Sequence, residues 1–106
     1  MSDSVFESLA DSLLATLEEA LGSHVGAELE DAELQGGVLT IEGADGTWVV
    51  NKHAPTQQIW LSSPRSGARH YAFDAKSGQW QDTRGGVDLL AHLSAELGVP
   101  LTWQPR

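Results

Sequence analysis

Carboxylates offer the most chemistry in this sequence. Asp3, Glu7, Asp11, Glu18 and Glu19 recur within the first 22 residues, and Glu30, Asp31 and Glu33 follow as a tight group. Clustered carboxylates attract hard cations through all-oxygen coordination. With no converging His or Cys, such a site is exposed, weak and poorly selective. The plain alternative is a solvated face that keeps the chain soluble. Two features favour the cation: residues 1–46 hold eleven acids and no Lys or Arg, and Glu30, Asp31 and Glu33 can lie beside Glu18 and Glu19.

A second group has the composition of a protein contact. In Gln58-Ile59-Trp60-Leu61-Ser62, alternation sends Ile59 and Leu61 to one face and Gln58, Trp60 and Ser62 to the other. The same parity puts Leu39, Ile41, Trp48, Val50, Tyr71 and Phe73 inside. Thr40, Thr47, Val49, Asn51 and His70 go outside. A large aromatic framed by amides and a histidine suits a binding hot spot. A second layer, or the C-terminal tail, could cover Trp60 instead.

Other chemistry lacks support. His24, His53, His70 and His92 form no HExxH or HxxxH pair, and GxSxG, GxGxxG and GxxxxGK[ST] do not occur. No Ser/His/Asp set stands out, so no dedicated enzyme site is visible. Cysteine is absent, which removes disulfides, Cys-ligated zinc, Cys-ligated iron–sulfur clusters and a thiol nucleophile. A thiol-free chain fits a reducing compartment.

The charge sum is 15 acidic residues against 6 basic, a formal net of -9. It is uneven: the stretch to residue 46 carries all the excess, and the remainder is nearly balanced. Such a surface repels nucleic-acid phosphates and anionic lipid. It favours metal ions or a basic protein surface. Apolar runs are too short to span a membrane. The N-terminus lacks the basic segment of a signal or transit peptide.

These groups need elements to hold them, and 106 residues make one domain, residues 1–106. Ser4 with Glu7 reads as a capping box. Phe6, Leu9, Leu13, Leu17 and Leu21 then repeat at helical spacing, up to Gly22. At ~100° per residue, Asp3, Glu7, Asp11 and Glu18 share one arc beside this stripe, with Glu19 further round. From residue 27 the period becomes two. Strands are predicted at Ala27–Leu34, Val38–Glu42, Thr47–Lys52, Ile59–Ser63, His70–Asp74 and Gln79–Thr83, joined by short turns and therefore antiparallel. Gly85-Gly86 opens a second helix with Val87, Leu89, Leu90, Leu93 and Leu97 as its stripe and Gly98 as its end. Leu101 and Trp103 in the tail should pack on the helices. The expected class is α+β: a two-layer α/β sandwich, with two terminal helices on one face of an antiparallel sheet of about six strands.

The segment Asn51-Lys52-His53-Ala54-Pro55-Thr56-Gln57-Gln58-Ile59-Trp60-Leu61-Ser62-Ser63-Pro64-Arg65-Ser66-Gly67, preceded by Gly36-Gly37-Val38-Leu39-Thr40-Ile41, resembles the frataxin family. Element order and length resemble it over essentially the whole chain. The short N-terminus is similar to that of bacterial members, which implies a cytoplasmic protein. The resemblance implies a two-helix, antiparallel-sheet sandwich with a role in iron–sulfur cluster assembly. It implies weak binding of Fe²⁺ or Fe³⁺, with no organic cofactor, on an acidic ridge of Asp3, Glu7, Asp11, Glu18, Glu19, Glu30, Asp31 and Glu33. It implies contact with a cysteine desulfurase and an iron–sulfur scaffold protein, with Asn51, Gln58, Trp60 and His70 as the sheet surface. The expected state is a monomer, or an oligomer formed with metal. Two other roles compete: an iron-oxidising or iron-storage enzyme, and an acidic interaction module with no metal. Gly22, Ser23, Val25 and Ala27 stand where bacterial members often carry further acids, and His70 where eukaryotic members are usually basic.

Overall fold

The computed structural model describes residues 1–105. Helix α1 (Asp3–Gly22) is followed by six strands: β1 (Leu29–Gln35), β2 (Val38–Gly43), β3 (Gly46–His53), β4 (Gln58–Ser63), β5 (Gly67–Asp74) and β6 (Gln79–Asp82). One 3₁₀ turn (Ala54–Thr56) separates β3 from β4, and helix α2 (Leu89–Leu97) closes the fold. The strands lie in chain order in one sheet, every pair antiparallel. This is the meander that short connections require, and the α+β sandwich expected from the sequence. Among the described residues no helix is long and apolar enough to cross a membrane.

The parity of the strands holds. Leu39, Ile41, Trp48, Val50, Ile59, Leu61 and Tyr71 are buried, Phe73 packs beside them, and α1 adds Phe6, Ala10, Leu13, Leu14, Leu17 and Leu21. Leu9, placed in the stripe by spacing, is only partly buried. Leu101 is buried, and Trp103 packs at the margin of the core while its indole N–H donates to Ser12 Oγ at 3.1 Å. The tail thus belongs to the core, as its apolar residues suggest. The Gly36-Gly37 turn between β1 and β2 has both residues at positive φ (60° and 78°), the backbone that a two-residue hairpin of this twist demands.

Two helix starts differ from expectation. Ser2, not Ser4, caps α1, its Oγ accepting from Val5 N–H at 3.2 Å. Glu7 therefore lies a turn further into the helix, where Lys52 engages it. Helix α2 begins at Leu89, not at Gly85-Gly86: Asp88 caps it by accepting from Leu90 and Ala91 N–H. An N-cap carboxylate at Asp88 satisfies first-turn donors that glycine cannot, and Val87 stays exposed outside the helix. The strand boundaries also move: β1 starts at Leu29, β3 reaches His53, and β5 begins three residues early, at Gly67.

Candidate functional site

The eight carboxylates do not converge. Among the described residues no three His, Asp or Glu side chains are grouped as a metal cage. Several already hold protein donors. Asp3 accepts from Gln57 Nε2 at 2.9 Å. Glu7 and Asp11 share the ammonium of Lys52, at 2.9 Å for Asp11. Hydrogen bonds to Asp11 and then Glu7 hold the Lys52 ammonium above its ordinary pKa. Glu18 Oε2 accepts from Leu34 N–H at 2.9 Å, so it covers a backbone donor on β1, the outermost strand. Glu19, Glu30, Asp31 and Glu33 are exposed.

Strand register divides these acids between two faces. Ala32 and Leu34 oppose the core residues Ile41 and Leu39, so Asp31 and Glu33 point to the open face of the sheet. Asp31 there faces Glu42 directly, a repelling cross-strand pair. The register slips between Leu29 and Asp31, which leaves Glu30 unopposed in a bulge. Glu18 lies on the helix side of the same edge through its bond to Leu34, and Glu19 is the next, exposed residue of α1. A cation at this edge meets one or two carboxylates at a time and keeps most of its water, as an exposed all-oxygen donor set allows.

Sequence reading missed Lys52 as the counter-ion of the ridge. Parity offered the signal: in β3, Trp48, Val50 and Lys52 share the helix-facing side. A lysine on that side must find an acid, and α1 supplies two.

The sheet-surface group does come together. Asn51, Trp60 and His70 are in register across β3, β4 and β5. Gln58 Oε1 accepts from Trp60 Nε1 at 2.9 Å. The Trp60 indole lies between two imidazoles, His53 with centroids 3.7 Å away and His70 at 4.4 Å, both nearly parallel to it. His53 was not foreseen; it shares the outward parity of Asn51 and opposes Gln58. His53 is held in turn by Thr56, Nδ1 to Oγ1 at 2.8 Å. Beside this stack Val38, Val49, Leu61 and Ala68 line a shallow apolar hollow of about 280 Å³. The indole is neither core nor free: it is half-buried and fixed in orientation.

One other cluster has the residue types of a hydrolase. Ser66 Oγ lies 2.9 Å from His92 Nε2, and Glu96 Oε2 lies 3.3 Å from the same nitrogen. A nucleophile relay needs the acid on one ring nitrogen and the hydroxyl on the other, so this trio is no such relay. Glu96 instead accepts from Trp48 Nε1 (3.0 Å) and Ser63 Oγ (2.7 Å) and joins α2 to the sheet. Burial pushes its carboxyl up, but the bonds from Ser63, Trp48 and Ser66 hold it below the usual range. His24, read as able to reach the acidic end, pairs with Glu28 at 3.0 Å.

Comparison with known proteins agrees with this architecture. A model of the Frataxin-like domain matches residues 1–102. The chain is similar to the mitochondrial frataxin homolog of Schizosaccharomyces pombe, 41% identical over 91% of the chain and 63% of that protein. It is also similar to a mitochondrial frataxin-like protein of Leishmania donovani, 38% identical over 91% of the chain and 54% of that protein. The chain thus spans somewhat over half the length of these two relatives. Among solved structures it is similar to frataxin from Psychromonas ingrahamii, with a TM-score of 0.82, 32% identity, and coverage of 97% of this chain and 100% of that one. It is also similar to the trimeric frataxin of Saccharomyces cerevisiae complexed with ferrous iron, with a TM-score of 0.74, 40% identity, and coverage of 84% and 81%.

Proposed function

The chain belongs to the frataxin family, and from that premise we propose that it binds iron weakly and regulates, or supplies iron to, iron–sulfur cluster assembly. The observation that carries the reading is the edge of exposed carboxylates, Glu19, Glu30, Asp31 and Glu33, in a family with a ferrous-bound trimeric member. Clustered carboxylates at an edge suit a hydrated cation held loosely and exchanged readily. They suit equally the basic surface of a cysteine desulfurase. The row Asn51–Trp60–His70 with Gln58 is the contact for the desulfurase–scaffold complex, because a half-buried, pre-oriented indole costs little entropy to dock. The protein acts by binding, in the cytoplasm, and not as an enzyme.

Anaerobic Fe²⁺ titration followed by amide resonances tests the metal part. Signals of Glu19, Asp31 and Glu33 should shift first, and a titration that leaves them unmoved refutes it. Capture of the desulfurase and scaffold at low and high salt tests the partner part. Binding through the ridge should fall steeply with salt. Oxygen uptake that turns over with Fe²⁺ would instead support an iron-oxidising enzyme.

A further inference from the structure

One hollow on the surface of this acidic protein is lined by two arginines against a single acid, and it lies where β6 stops. Strand β5 begins at Gly67, but β6 pairs with it only as far as Tyr71↔Asp82. One more bond, Thr83 N–H to His70 C=O at 2.9 Å, ends the ladder. Backbone groups two residues apart in a strand face the same side. The N–H of Ala68 therefore faces the side that β6 has left uncovered. The chain turns away through Gly85 and Gly86, both at positive φ (88° and 112°). The resulting hollow of about 380 Å³ is lined by Ser66, Ala68, Arg69, His70, Asp82 and Arg84.

Its single acid is already engaged. Asp82 Oδ2 accepts from Arg69 at 2.9 Å, and Oδ1 accepts from the backbone N–H of Arg84 at 2.9 Å. That leaves the Arg84 guanidinium, which is exposed and has no side-chain partner among the described residues. Arg69 is one-third exposed, yet its Nε is buried and has no acceptor. That atom has no surface open to the hollow, so a ligand there meets the exposed part of the Arg69 side chain instead. Of the other described cations, Lys52 is held by Glu7 and Asp11 and Arg65 by Asp45 and the Glu96 carbonyl, while Lys76 is exposed on the turn after β5.

We propose that this hollow binds a small phosphate-type oxyanion, free or as the head of a phosphate ester, between the guanidiniums of Arg69 and Arg84 with the Ala68 N–H at its floor. Two planar forks suit an anion with several oxygens and more than one charge. The molecule as a whole, at a net charge of -9, repels such a ligand elsewhere on its surface, so binding concentrates here. The site is separate from the iron reading and stands or falls without it.

The test is a titration with inorganic phosphate at constant ionic strength, read by the arginine Nε–Hε resonances. The Arg69 signal should shift to saturation. The Trp60 indole signal should follow, because His70 lines the hollow and stacks on Trp60. Arg84→Gln, at an exposed and unpaired side chain, should keep the fold and weaken binding about tenfold, the loss of one charge-assisted contact. Arg65→Gln, outside the hollow, should bind as the wild type does. Glycerol 3-phosphate binding as tightly as phosphate assigns the site to esters, and weaker binding assigns it to the free anion; both support the proposal. It is overturned if the Arg69 signal stays still, if chloride moves it equally, or if Arg84→Gln binds phosphate undiminished.

Discussion

Replacing Lys52 by Met separates the two jobs of the helix carboxylates. The ammonium sits between Glu7 and Asp11, its side chain 20% exposed and its partners 39% and 59% exposed. Solvent screens pairs this open, so the two together contribute about 1 kcal/mol. Without the lysine, the i,i+4 repulsion of Glu7 and Asp11 adds a few tenths of a kcal/mol. For a domain of this size the loss lowers the melting temperature by about 5 °C. The same change should strengthen cation binding. A dication held by Glu7 and Asp11 meets the ammonium at about 4 Å, where a unit charge acts on it with about 2 kcal/mol in water, and physiological salt reduces this to about half. Removing the lysine thus tightens binding at this pair about fivefold. Anaerobic calorimetric titration of wild type and Lys52→Met with Fe²⁺, beside thermal melts at two salt concentrations, measures both. The pH dependence has a definite sign. Lys52 is raised in the folded state, so its contribution is full below the ordinary lysine pKa of about 10.4 and lost as pH climbs through the higher folded value. On the alkaline side, the melting gap between the two proteins should close only there. A Lys52→Met protein with a native spectrum and unchanged Fe²⁺ affinity would refute the counter-ion argument.

Three further outcomes are expected. Trp60→Ala loses two ring stacks and should cost about 1–2 kcal/mol, well below a core tryptophan, while binding to the assembly complex falls at least about tenfold; a loss above about 4 kcal/mol in a urea melt would make Trp60 a core residue. Glu96→Ala leaves Trp48 Nε1 and Ser63 Oγ without their acceptor and should cost about 2–4 kcal/mol by urea midpoint. The Glu96 carboxyl is depressed in the fold, so its contribution is present above the usual glutamate range and lost as pH falls through the folded value; Glu96→Gln should flatten the acid limb of a stability–pH curve. Leu101→Ala should cost about 2–3 kcal/mol, because the side chain is only 8% exposed; a cost below about 0.5 kcal/mol in thermal melts would detach the tail from the core.

Parity carried most of what could be read in advance. Alternation in β2 to β5 sorted Leu39, Ile41, Val50, Ile59 and Leu61 from Thr40, Val49, Asn51 and Trp60 because each hairpin preserves register. It was not applied to β1, where the bulge at Glu30 interrupts the count. Caps were harder. Ser2 and Ser4 are both good N-caps, and only the burial of Phe6 and Ala10 in the fold chooses between them. The ridge was legible as a composition but not as a geometry. Charge counts along the chain cannot show that Lys52, distant in sequence, crosses to α1. Nor can they show that Glu18 is engaged by the Leu34 amide. The hollow at the end of β6 was invisible in the sequence, since it depends on where one strand stops.

The bond from Leu34 N–H to Glu18 also bears on how copies of this protein meet. Strand β1 ends the sheet, and an end strand with bare amides is a template for another chain. Here a side chain stands in for the missing neighbour at Leu34, and Asp31, Glu33 and Glu42 place like charges against any second copy that approaches. Both guards are carboxylates. A cation that draws Glu18 outward bares the amide, and the same cation lowers the charge that keeps copies apart. Solubility at this edge is therefore set by the ionic surroundings as much as by the fold.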